Sequence, residues 1–359
     1  MEISLIPHTL RFLKPAHTSR ETYSERKVCY VLITDGNRHG VGECAPLPKL
    51  SEEYGKNFPS LLHQAAEELT ETKTFNAEYW QHHSSVCFGF ESALRMFHHG
   101  MDMWQPGKQK ATPQIAINGL IWMNSPEIMQ KELQEKLQRG FKCIKIKIGA
   151  VDFKDELALI QYIRRHYGYS IEIRVDANGA FTEQNVFSRL ESLAPYHIHS
   201  IEQPVAAKQY KLMEQICRQS PVPVAFDEEL IGICDSHREK LLSQLKPHYI
   251  VLKPSLHGGF WGATKWIQVA RPLNIGYWIT SALESNVGLW ALWQWTTRFH
   301  GDIRHGLGTG MLFENNIPLP LCIEGENLCC YPQNAPSAAE LYHTIKALAT
   351  HETDISFGR

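Results

Sequence analysis

From Gln114 onward the chain alternates short apolar runs with amphipathic stretches of roughly 15 residues. That alternation predicts parallel strands joined by crossover helices. The strands fall at 115–118, 143–148, 171–176, 200–202, 222–227, 249–253 and 276–280, with a faint eighth at 304–306. The helix after the first strand carries Met129, Leu133 and Leu137 at four-residue spacing. Ser125 stands as its N-cap, Pro126 in its first turn and Gly140 as its stop. Thr182 is placed as the cap of a later helix with Val186, Leu190 and Leu193 on one face. About 200 residues for this many repeats fits a compact βα barrel.

The first 110 residues read differently. An apolar, β-branched run at 28–34 turns at Asp35-Gly36 and resumes at 41–44, which predicts a hairpin. Two prolines in 45–51 end it, and helical patterns follow at 58–69 and 88–96. Strands before helices predict an α+β domain, with polar loops at 14–25 and 46–53 able to fold over a neighbouring site. After the barrel, 318–330 reads as a return segment and 338–350 as a closing helix. The expected division is therefore 1–110 for an N-terminal cap, 111–314 for the barrel, and 315–359 for a segment returning to the cap.

The formal net charge is −2 at pH 7, which offers no basic face for nucleic acid or an anionic membrane. No apolar run reaches the roughly 18–20 residues of a membrane span. The N-terminus lacks a basic stretch leading into an apolar one, so no signal peptide is expected. Nine cysteines without a C-x-x-C predict reduced, mostly buried thiols and a cytoplasmic location.

The strand ends carry the candidate chemistry. Lys145 and Lys147 are separated by one residue, so both point to the same face of a strand, the barrel interior. The next strands end at Asp176, Glu202, Asp227 and Lys253, one βα repeat apart. Three carboxylates brought together repel one another unless something positive joins them. A hard divalent cation, Mg²⁺ or Mn²⁺, suits an all-oxygen donor set. The competing account is a salt-bridge lattice of Lys145, Lys147, Lys253 and Arg174 with the acids. Arg174, two residues before Asp176, faces the interior as well, to neutralise Glu202 or to lower a lysine's pKa. Neighbouring cations depress a lysine's pKa, and a lysine so depressed removes a proton next to a metal-held carboxylate.

The motifs KIKIG (145–149), VDANGAF (175–181), IEQPV (201–205), AFDEEL (225–230) and LKPS (252–255) resemble the muconate-lactonizing branch of the enolase superfamily. Within it, GECAPLP (42–48), FESAL (90–94), INGLIW (117–122) and SALESNVG (281–288) are most similar to the o-succinylbenzoate synthase family. The resemblance implies an α/β fold, a modified TIM-like (β/α)₇β barrel closed by an α+β cap. It implies Asp176, Glu202 and Asp227 as magnesium ligands and Lys147 as the base. Lys253 would stand on the opposite face, and Lys145 would keep Lys147 in a usable protonation state. The implied reaction is dehydration of 2-succinyl-6-hydroxy-2,4-cyclohexadiene-1-carboxylate in menaquinone biosynthesis.

The partner would then be a small carboxylate, with Asn118, Arg174, Ser281 and Ser285 as candidates for holding it. Helix capping is the competing role for the two serines. One departure from many relatives is Glu229 in Asp227-Glu228-Glu229, where they carry serine. Two rival readings remain open on the residues: an N-acylamino acid racemase, dipeptide epimerase or cycloisomerase of the same branch, and a non-catalytic barrel that binds a metal or an acidic metabolite.

Overall fold

The computed structural model describes residues 1–17, 22–104, 114–149, 151–299 and 301–350. Two long antiparallel strands, β1 (Glu2–His17) and β2 (Thr22–Thr34), open the chain, and β2 turns at Asp35-Gly36 into β3 (His39–Cys44). Helices α1 (Phe58–Thr72), α2 (Ala77–Trp80) and α3 (Ser84–His99) follow. Val31, Ile33, Phe58, Leu62, Val86 and Phe90 form part of a separate core between this sheet and its helices. Strand β3 alternates glycine with larger residues because α3 lies directly on it. A Cβ at Gly42 would fall 1.9 Å from the Gly89 carbonyl oxygen.

Part of the loop expected at 14–25 is instead hairpin, since Ala16 pairs with Tyr23; residues 18–21 of it lie outside the described residues. The expected boundary at 110/111 also falls outside them.

The barrel begins with a strand that divides its pairing. β4 (Gln114–Ala116) turns outward to pair with a late hairpin, and β5 (Gly119–Ile121) is the first barrel strand. The expected strand at 115–118 is thus displaced, and Ile117 bridges across the seam to His305. Then come α4 (Pro126–Gln138), β6 (Cys143–Lys147), α5 (Phe153–Tyr167), β7 (Glu172–Asp176) and α6 (Val186–Leu193). β8 (Ser200–Glu202), α7 (Tyr210–Gln219), β9 (Val224–Phe226) and α8 (Asp235–Leu245) continue the alternation. It ends with β10 (Tyr249–Leu252), α9 (Gly259–Ala270), β11 (Gly276–Ile279) and α10 (Asn286–Thr296).

The seven parallel strands β5 to β11 pair in chain order. His305 and Gly306 close the circle, bridging in parallel to Ile117 on one side and Thr280 on the other. The faint eighth strand is this two-residue rung.

Two caps differ from expectation. Helix α6 starts at Val186 with Asn185 at its N-cap, and Thr182 lies a turn earlier. Ser125 occupies the N-cap of α4, but its hydroxyl makes no capping bond there.

Hairpin β12 (Leu321–Glu324) and β13 (Asn327–Cys330) pairs with β4, and α11 (Ala338–Lys346) brings the Tyr342 ring centroid to 4.8 Å from that of His39, the first residue of β3. Among the described residues no helix is long and apolar enough to cross a membrane.

Candidate active site

Strand β6 sorts its side chains by alternation. Ile144 and Ile146 pack outward and are fully buried, while Lys145 and Lys147 enter the barrel. Pairing register then aligns the acids. Lys147 lies opposite Asp176 on β7, and Asp176 opposite Glu202 on β8. Glu202 faces Ala225 on β9, so Asp227, two residues on, stands past that rung just after β9. Lys253 follows β10. The strand ends therefore bring the three acids and three lysines to one rim.

The contacts are direct. Lys145 Nζ lies 2.9 Å from Asp176 Oδ2 and 2.6 Å from Glu202 Oε2. Lys147 Nζ lies 3.1 Å from Asp176 Oδ2 and donates to Asn178 Oδ1 at 2.6 Å. Lys253 Nζ pairs with Asp227 Oδ2. Burial opposes charge on Lys145, Lys253 and the three acids, and the opposite charges outweigh it at all of them but Glu202. Lys145, Lys147 and Lys253 hold the Asp176 carboxyl well below the usual carboxylate range. Asp227 is held low by Lys253. Glu202 is pushed up to about 8 by burial and the Asp176 charge. Against burial, the Asp176 and Glu202 carboxylates raise Lys145 above the ordinary lysine value. The direction is upward because the acids face this ammonium directly.

A divalent cation fits the donor chemistry of this rim. Asp176, Glu202 and Asp227 offer only carboxylate oxygens, and two of these, Glu202 Oε1 and Asp227 Oδ1, are buried without a hydrogen-bond partner. Among the described residues no three acidic, histidine or cysteine side chains form a ligand cluster as they stand. Lys145 and Lys253 instead hold the carboxylates, as the salt-bridge lattice would have it.

A cavity of about 160 Å³ opens over the rim. Tyr23, Leu47 and Leu50 reach it from the N-terminal part, and Ser281, Ala282 and Leu283 from the loop after β11. Asn118 lines it and leaves Oδ1 without a protein partner. The Ser281 hydroxyl bonds that of Thr309. Gly306 and Gly308 bring backbone to the same wall, and a Cβ at Gly306 would fall 2.5 Å from Thr280 Oγ1.

Two candidates are placed elsewhere. Arg174 sits one layer deeper, opposite Lys145, and turns away from the rim. Its Nε donates to Glu172 at 2.7 Å, and its guanidinium lies 4.4 Å from the Trp278 ring centroid. It does not neutralise Glu202, because its Nε and Nη1 are directed to Glu172 and the Arg304 carbonyl and its ion pair is with Glu172. Ser285 is fully buried at the N-cap of α10, where its hydroxyl caps Val287 N–H and bonds Glu43. The carboxylate held at this helix start belongs to the chain itself.

Two residues at the rim escaped the sequence reading. Asn178 accepts from Lys147 and donates to Glu228 Oε1 at 3.0 Å, and both line the cavity. The signal was available. Asn178 (φ 43°) and Gly179 (φ 77°) turn the chain in left-handed conformations immediately after Asp176, which sends the Asn178 side chain back over the strand end. Glu229 is spent on structure, taking Gln203 Nε2 at 3.1 Å and Lys208 N–H at 2.9 Å.

Residues 128–302 match the family model for the enolase C-terminal domain-like family, and residues 15–97 match that for the MenC N-terminal domain. The chain is 38% identical to the o-succinylbenzoate synthase of Desulfotalea psychrophila, over 90% of this chain and 98% of the relative. It is 26% identical to the L-Ala-D/L-Glu epimerase of Bacillus subtilis, over 77% of this chain and 79% of that one. A crystal structure of MenC from Desulfotalea psychrophila superposes with a TM-score of 0.78 at 35% identity, covering 92% of this chain and 99% of that chain. A muconate lactonizing enzyme from Pseudomonas fluorescens shares the fold at a TM-score of 0.77 and 18% identity, covering 96% and 98%. The chain belongs to the o-succinylbenzoate synthase family of the enolase superfamily.

Proposed function

We infer that the chain is an o-succinylbenzoate synthase, a hydro-lyase that dehydrates 2-succinyl-6-hydroxy-2,4-cyclohexadiene-1-carboxylate to o-succinylbenzoate and water in menaquinone biosynthesis. The observation that carries the reading is the full-length likeness to the Desulfotalea synthase, joined to a rim of three acids and three lysines. Asp176, Glu202 and Asp227 would hold one Mg²⁺, with Mn²⁺ as a substitute. Bound there, the cation supplies positive charge beside the substrate carboxylate as the adjacent C–H bond breaks.

The chain's residues do the rest. Lys147 takes the proton from the carbon next to the carboxylate. Asn178 fixes the direction of its Nζ, so the same amine can return that proton to the hydroxyl leaving from the same face. The C–H electron pair thereby becomes one new ring double bond, the C–O pair leaves on the hydroxyl oxygen, which takes the proton and departs as water, and the ring becomes aromatic. Lys253, on the opposite side, places its ammonium against the negative charge that develops on the substrate. Lys145 stays charged between Asp176 and Glu202 and spaces them. Tyr23, Leu47 and Leu50 close the cavity from above and keep water from the reacting carbon.

The cysteines Cys29, Cys44, Cys87, Cys143, Cys217, Cys329 and Cys330 are free and buried, which supports a reducing, cytoplasmic setting. The test is conversion of the purified cyclohexadiene acid to o-succinylbenzoate with Mg²⁺ and with EDTA. Product with Mg²⁺ and none with EDTA supports the reading, and no product in either condition overturns it.

A further inference from the structure

Two motifs that the chemistry leaves unused meet in space. Glu43, in GECAPLP, is fully buried and sits on the N-terminus of α10. Its carboxylate accepts Ser285 N–H and Gly288 N–H, each at 2.9 Å, and the Ser285 hydroxyl. Tyr30 on β2 donates to Ser285 Oγ at 3.2 Å. A helix N-terminus offers unpaired donors and a positive dipole end, so a buried carboxylate there is a strong, directional joint.

Beside it Arg26, also buried, spreads its guanidinium over three carbonyls. It donates to Ala45 and Pro46 in the cap loop and, at 3.4 Å, to Leu283 in the loop after β11. A planar fork holds such an arrangement where an ammonium does not. Glu284 fastens the same loop to the barrel. Its carboxylate accepts Ala282 N–H at 2.7 Å and the Ser255 hydroxyl, two residues beyond Lys253.

Both joined segments form wall of the cavity: Leu47 and Leu50 on the cap side, Ser281 to Leu283 on the barrel side. Neither Glu43 nor Arg26 touches the acids or lysines of the rim. We propose that Glu43 and Arg26 are positioning residues that lock these two segments into one rigid wall and so set the affinity for the part of the substrate that lies away from the acids. This rests on the reading of the cavity as the substrate site.

The molecule contains its own control. Glu91, on α3, is another cap carboxylate seated on a barrel helix, taking Phe260 N–H at 2.6 Å and Trp261 N–H at 3.1 Å at the start of α9. It anchors the cap in the same way but borders no part of the cavity wall. Wild type, Glu43→Gln, Arg26→Lys and Glu91→Gln are compared for kcat and KM in dehydration, with unfolding temperature recorded for each.

The expected result is a KM raised tenfold or more in Glu43→Gln and Arg26→Lys with kcat within threefold, while Glu91→Gln keeps KM within twofold. Equal KM changes at Glu43 and Glu91 would reduce the contact to simple docking of the cap and overturn the proposal, as would an unchanged KM in Glu43→Gln and Arg26→Lys. If Glu43→Gln fails to fold, Arg26→Lys and Ser285→Ala carry the comparison. An inactive wild type would instead overturn the functional reading.

Discussion

Lys147 Nζ points at Asn178 Oδ1, 2.6 Å away, and the Asn178 amide nitrogen is in turn held by Glu228 at 3.0 Å. A flexible four-carbon amine is thus steered by a side chain rooted in the turn after β7. Misplacing a catalytic group by about 1 Å costs on the order of a hundredfold in rate. Asn178→Ala is therefore expected to lower kcat by about ten- to a hundredfold with KM little changed, as steady-state dehydration kinetics will show.

Removing the cation should act on both rate and stability. EDTA is expected to abolish turnover, and added Mg²⁺ to restore it. Glu202→Gln and Asp227→Asn should lose that restoration, since each replaces an anionic carboxylate carrying a buried, unpartnered oxygen with a neutral amide. A ligand bound to the folded state alone stabilises it, by about 2.7 kcal/mol at a hundredfold excess over Kd. Thermal unfolding with and without Mg²⁺ should accordingly show a rise in the wild type that is lost in the Glu202→Gln variant.

Glu43 and Glu91 give the fold a pH dependence of stated sign. Burial pushes each up to about 7 from an ordinary 4.5, despite the helix N–H groups they accept. The folded chain therefore holds two protons that the unfolded chain gives up near pH 4.5. Their contribution is fully present below that pH and is lost as pH rises through about 7, on the order of 3 kcal/mol per group. In denaturant unfolding, the double substitution Glu43→Gln with Glu91→Gln should flatten stability against pH between about 4.5 and 7 relative to wild type.

Lys147 and Lys253 both reach the cavity, so 1,1-proton transfer is the side reaction to test. Incubation of N-succinylamino acids in D₂O with enzyme and Mg²⁺ is expected to show α-exchange at under a hundredth of the dehydration rate. Exchange rivalling dehydration, measured by NMR, would mark the chain as bifunctional.

The barrel was legible because five consecutive repeats carry two independent signals, an apolar run and a charged strand end. Register then aligned Lys147, Asp176 and Glu202 as the spacing implied. Strand β1 was missed. Its buried face runs through Ile6, His8, Leu10 and Phe12, and a histidine beside Pro7 hides the alternation. The split of the first strand into β4 and β5 was illegible because the partner of β4 lies some 200 residues later, in β13. Arg174 was misassigned because alternation gives the face but not the depth, and Trp278, which draws it downward, is distant in sequence. Ser285 stayed open between substrate and helix cap, and it is the cap, because the carboxylate at this helix start is Glu43, 242 residues earlier in the chain. Local patterns announce a helix start, and only tertiary structure says who occupies it.

Lys147 is expected to move the proton on a rim built from Asp176, Glu202 and Asp227. The most direct measurement follows the appearance of o-succinylbenzoate from the cyclohexadiene acid in Mg²⁺, for wild type and for Lys147→Ala of matched unfolding temperature. Turnover by the wild type, reduced by about a thousandfold or more in the variant, is the predicted result. A Lys147→Ala enzyme that still turns over within tenfold of wild type would contradict it.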